Sequence, residues 1–86
     1  MADFINIGFG NMIRKEKISA IINPDAAPIK RSVQAAKADG SLIDATQGRK
    51  TKAVLFLDSG QIVISALQPE TIAKRAGSQD IKNEEA

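Results

Sequence analysis

The residues best suited to chemistry in this chain are Arg49, Lys50 and Lys52, inside the stretch TQGRKTK that leads directly into the apolar run AVLFL. A glycine followed by three cations in four positions suits the grip of a phosphate. Arginine's planar fork matches phosphate oxygens, lysine adds a point charge, and Gly48 lets backbone approach a ligand closely. Lys15 and Lys17 form a second group. On an extended segment they would share one face, and could lie alongside the first group if the two β segments are neighbours. Any one of these lysines is explained well enough as a solvated surface charge, but the cluster is explained less well that way. With no aromatic interleaved in the patch, stacking on unpaired bases is disfavoured, and the backbone of duplex DNA is the expected target.

Other chemistries lack their residues. The chain has no histidine and no cysteine, which removes the usual general base near neutral pH, the thiolate nucleophile and the common ligands of transition metals. Its serines have no histidine to activate them. Asp44 and Asp58 each fall beside a turn, where an aspartate more often accepts backbone N–H groups than performs acid or base chemistry. Gly8-Phe9-Gly10 resembles the start of a dinucleotide-binding loop, but its third glycine would fall where Ile13 stands. Gly48-Arg49-Lys50-Thr51 resembles the end of a phosphate-binding loop, but Arg49 separates glycine from lysine and Ile43 occupies the place of the earlier glycine. The expectation is a protein that is not an enzyme and uses no cofactor and no metal.

The totals bound the rest. Eighty-six residues accommodate one domain with a marginal core. Hydrophobic residues make up 43% of the chain but only three are aromatic, Phe4, Phe9 and Phe56, so the core must be aliphatic. The net charge is +2, unevenly spread: from Arg14 to Lys52 nine cations face four anions, whereas from Ala76 onward Lys82 faces Asp80, Glu84 and Glu85. A basic body with an acidic tail is a pattern of partner binding. The N-terminal MADFINIGFG does not read as a signal peptide, and no apolar run approaches the roughly 20 residues that span a bilayer. The expected location is the cytoplasm, in association with the nucleoid.

The elements that must position the cations can be sketched from pattern. FINI reads as a strand closed by the glycine-rich turn GFGN, and MIRKEKISAII as a second strand. After Asn23-Pro24, the spacing of Ile29, Val33 and Ala36 predicts a helix from about Asp25 to Asp39, with Pro28 in its first turn and Gly40 as its left-handed stop. Lys30, Gln34 and Lys37 make a basic stripe on its other side. SLIDA, KTKAVLFL and IVISAL, separated by glycine-containing turns, predict an antiparallel meander. AVLFL is apolar at every position and must be covered on both faces, one side by the helix and the other by a second subunit. Gln68-Pro69-Glu70 opens a short last helix. The fold class is therefore α+β: a small antiparallel sheet with one main helix and a short C-terminal helix.

Four blocks, INIGFGN (Ile5 to Asn11), APIKR (Ala27 to Arg31), LIDATQGRKTKAV (Leu42 to Val54) and SALQPET (Ser65 to Thr71), resemble in order and spacing the RemA family of bacterial extracellular-matrix regulators. The resemblance implies a domain over residues 1–76, followed by an acidic tail, 77–86, expected to be disordered. It implies a LytTR-like fold assembling into a homo-oligomeric ring, an octamer, and a DNA-binding transcriptional regulator that activates matrix (biofilm) genes. Its implied partners are double-stranded DNA and further copies of itself, with no membrane and no small-molecule substrate. The implied DNA-binding positions are Lys17, Arg49, Lys50 and Lys52, beside which Lys15 is placed by the strand reading. Lys17, Lys50 and Lys52 stand where the family usually carries arginine; charge is kept, but the bidentate fork is lost at those three. The competing expectation is a nucleoid-type architectural protein, or a module that binds RNA or an acidic protein without a gene-specific role.

Overall fold

A computed structural model describes residues 4–77; the acidic tail lies outside the described residues beyond Gly77. A short hairpin comes first: β1 (Phe4–Asn6) pairs antiparallel with β2 (Met12–Arg14), setting Ile5 opposite Ile13. A 3-10 turn (Lys15–Lys17) leads into β3 (Ile18–Ile22). Helix α1 (Ala27–Asp39) follows, then β4 (Leu42–Ala45), β5 (Ala53–Leu57), β6 (Ile62–Ser65) and helix α2 (Pro69–Arg75).

Local chemistry sets the helix limits. Proline lies in the first turn of both helices, where its missing N–H is no loss. Gly40, at φ 83°, ends α1, and its N–H bonds back to the Ala36 and Lys37 carbonyls. Glu70 sits at the positive end of α2, and Lys74 and Arg75 at its negative end.

The main sheet runs β3-β5-β6-β4. β5 pairs antiparallel with both β3 and β6, but β4 pairs parallel with β6, in the register Leu42↔Ile62 to Ala45↔Ser65. The sheet is thus mixed, which corrects the antiparallel meander. The reason lies in what each strand can bury. All four residues of β6 are buried, so it needs a neighbour on each side, whereas β4 carries the exposed Ile43 and Asp44 and tolerates an edge.

β5 is apolar on both faces, and one chain covers both. Val54 packs with Ile62, Ile64 and Ala36, joined by Ile29, Val33, Leu42 and Phe56, on the α1 side. Ala53 and Leu55 pack with Ile5, Ile7, Ala45, Val63 and Ile72 on the other. The N-terminal hairpin and α2 therefore supply the cover expected from a second subunit. The aliphatic core expected from composition is present, with Leu55, Val54 and Ile72 fully buried.

Candidate nucleic-acid interface

The seven residues between β4 and β5 carry the basic cluster and must pass the end of β6, because β6 lies between those strands in the sheet. Thr46 to Arg49 forms a tight turn in which the Arg49 N–H donates to the Thr46 carbonyl at 2.9 Å. Gln47 (φ 54°) and Gly48 (φ 80°) both take left-handed backbone there, the pairing of a type I′ turn. The Asp44 carboxylate fixes its start by accepting from the Thr46 N–H at 2.8 Å and from its hydroxyl at 2.6 Å. These two hydrogen bonds, the hydroxyl's the larger influence, hold Asp44 below the ordinary carboxylate pKa, with a lesser push from the Lys37 charge. At the far end the Lys52 N–H donates to the Ser65 carbonyl at 2.8 Å. The loop is thus pinned at both ends, and Arg49, Lys50 and Lys52 stand exposed between the pins.

Residues distant in sequence complete this end of the molecule. Lys30 of α1 and Lys50 line one depression of about 480 Å³ with an apolar floor of Val33 and Val54. Lys50 and Lys52 line a second with Asn23, Asp25 and Gln68. A third, about 430 Å³, is lined by Phe9, Arg49, Lys50, Lys52 and Leu67. There the Arg49 guanidinium carbon lies 5.8 Å from the centre of the Phe9 ring. Among the described residues no carboxylate forms an ion pair with Lys30, Arg49, Lys50 or Lys52; the ion pair present is Arg14 with Glu16, at 3.9 Å. Four cations therefore share one end of the sheet and remain available to an anionic partner.

Lys15 and Lys17 are placed differently from expectation. They occupy the 3-10 turn rather than a strand, so they do not share a strand face. The Lys17 carbonyl accepts from the Asp58 N–H at 2.8 Å, and its side chain borders a depression with Leu57, Asp58, Ser59 and Gln61. Lys52 precedes β5 and Asp58 follows it, so strand rise separates the two cationic groups by about 20 Å. The Lys15 ammonium lies beside Gly77, 3.5 Å from where a Cβ on that glycine would sit, at the carbonyl end of α2. The structure brings Arg49, Lys50 and Lys52 together and sets Lys15 and Lys17 apart.

Two residues of this end were not assigned to it from sequence. Lys30 was visible as part of a basic helical stripe, though nothing local tied it to Lys50. Phe9 gave no signal, because its meeting with Arg49 crosses 40 positions of chain and depends on how the hairpin docks. Its presence also removes the premise that the patch is free of aromatics.

A family model described as RemA-like, "Extracellular matrix regulatory protein A-like", matches residues 4–76. The chain belongs to the RemA-like family. It is 63% identical over 80 residues to a protein of Dictyoglomus turgidum, covering 93% of this chain and 94% of that one. It is 54% identical over 85 residues to one of Pseudothermotoga lettingae, at 99% and 93% coverage. With one of Geobacillus kaustophilus it shares 51% identity over 85 residues, 98% of each chain. All three carry the name "Putative regulatory protein". The RemA-like family and its relatives' names indicate a regulatory role rather than an enzymatic one. Among the described residues no helix is long and apolar enough to cross a membrane, and no group of acidic residues has the arrangement of a metal site.

Proposed function

We propose that this RemA-like protein is a DNA-binding transcriptional regulator that activates extracellular-matrix genes, gripping duplex DNA through a basic surface repeated around a homo-oligomeric ring. The observation that carries the reading is the exposed set Arg49, Lys50 and Lys52, on a loop pinned by Asp44, Thr46 and Ser65 and joined by Lys30 of α1, with no ion pair to any of the four among the described residues. A rigid display loses little entropy when it meets phosphate, and each phosphate neutralised steepens the salt dependence by about 0.9 in the log-log slope. Lys17 adds a second contact from the opposite end of β5. Lys15, turned toward α2, contributes least.

Three or four contacts from one small chain bind weakly at ordinary salt, so the reading calls for repetition of the surface. Two features favour assembly. Phe4 and Met12, 58% and 57% exposed, share the outer face of the hairpin. β4, with exposed Ile43, leaves a sheet edge open. The ring, its octameric size, the LytTR-like kinship and action at the nucleoid belong to this proposal.

A second reading, binding to single-stranded RNA, gains support from Phe9, an exposed ring beside Arg49 on which a base could stack. A mobility-shift titration with duplex DNA and single-stranded RNA competitors, run with light scattering on the same samples, separates the two. The expected result is preference for duplex by a multimer, lost in Arg49→Ala with Lys50→Ala while the assembly stays intact. Preference for RNA, or indifference to those substitutions, overturns it.

A further inference from the structure

We propose that Phe9 is a positioning residue of this interface, its ring holding the Arg49 guanidinium in the orientation that meets phosphate; the inference rests on the reading of Arg49 as a phosphate contact. Phe9 adopts φ 55°, between Gly8 at 116° and Gly10 at 78°. Left-handed backbone is costly for a bulky side chain and free for glycine. Burial does not offset that cost, because the ring is 53% exposed and belongs to neither core cluster. The fold alone would be served as well by glycine.

The turn that displays Phe9 is tightly fixed. Asn6 Oδ1 accepts from the Gly8 N–H at 2.7 Å, and Asn11 Nδ2 donates to the Gly8 carbonyl at 2.8 Å. The hydroxyl of Ser65, itself fully buried, donates to the Ile7 carbonyl at 2.7 Å, tying the hairpin to the strand that also anchors Lys52. A strained residue held by surroundings that over-determine it marks a functional position.

The ring's neighbour supplies the function. Arg49 Cζ lies 5.8 Å from the ring centre. A guanidinium held over an aromatic face by the ring's quadrupole still has N–H groups to offer phosphate oxygens, because the ring accepts none of its hydrogen bonds in full. It also enters binding with fewer rotamers to lose.

A double-mutant cycle on the full chain tests this, using one duplex at one salt concentration with Phe9→Gly, Arg49→Ala, the pair, and Phe9→Tyr, each with a melting curve. Phe9→Gly is expected to melt no lower than the parent yet to bind about two- to five-fold more weakly. In the Arg49→Ala background the same change is expected to have no further effect, and Phe9→Tyr to bind as the parent does. Three results overturn the inference while Arg49→Ala still weakens binding: Phe9→Gly binding as the parent, an equal loss in both backgrounds, or a lowered melting temperature accounting for the loss. If Arg49→Ala itself binds as the parent, the interface reading fails and this one with it.

Discussion

Two cation-bearing stretches of this chain lie at opposite ends of one strand and have different surroundings. Lys15-Glu16-Lys17 and Arg49-Lys50-Thr51-Lys52 are both short, basic and adjacent to a strand. The first is a 3-10 turn whose Lys15 leans on the end of α2 and whose Lys17 borders Asp58. The second is an open loop, held by Asp44 and Ser65, joined by Lys30 from α1 and by Phe9 from the hairpin. A run of cations in sequence therefore does not say which other elements will meet it in space. What distinguishes the second stretch as a candidate site is the convergence of other elements on it.

The comparison breaks most completely if the strand that separates the two stretches is lost. Leu55 is fully buried in the middle of β5, and Leu55→Glu is expected to cost about 4 kcal/mol or more and to abolish cooperative thermal unfolding by circular dichroism. Phe56 is only half-buried at the rim of the α1 cluster. Phe56→Glu is expected to cost about 1–2 kcal/mol and leave a folded protein. Equal damage from both would mean the two faces of β5 are misassigned.

Charge reversal sharpens the contrast at lower cost to the fold. Lys50→Glu is expected to weaken duplex binding in fluorescence anisotropy about tenfold or more, the worth of a charged hydrogen bond. Lys17→Glu is expected to have a smaller effect. The reverse order would move the site to the other end of the molecule.

A subtler break concerns the pin rather than the cations. Asp44→Ala removes both acceptor contacts to Thr46, whose side chain is buried. The expected loss is about 1–2 kcal/mol of stability by urea titration. Because the folded pKa of Asp44 is lowered, its contribution is complete above the ordinary carboxylate value of 3.8 and is lost as pH falls through the lowered value beneath it. The gap in stability between Asp44→Ala and the parent should therefore narrow only in strongly acidic solution, the smallest of these effects.

Much of the frame was legible in the sequence because it is governed by local rules. Pro28 and Gly40 bracketed the main helix to within two residues of its start, Pro69 opened the second, and AVLFL announced a strand buried on both sides. What was not legible depends on pairing across distance. β4 joining the far side of β6 in parallel is decided by which strand can best bury both faces. The hairpin and α2, rather than a second chain, cover β5 because Ile5, Ile7 and Ile72 fold back onto it. The run of cations at 49–52 was visible in the sequence as a candidate, but its neighbours Lys30 and Phe9 were not, since docking of α1 and of the hairpin brings them there.

The most direct test of the account is the salt dependence of duplex affinity for the parent and two variants, Arg49→Ala with Lys50→Ala and Lys15→Ala with Lys17→Ala, with assembly size held in view by light scattering. The account predicts a log-log slope shallower by about 0.9 for each phosphate contact removed from the first variant, and a smaller change in the second. A slope equal to the parent's in the first variant, with the assembly intact, would contradict it.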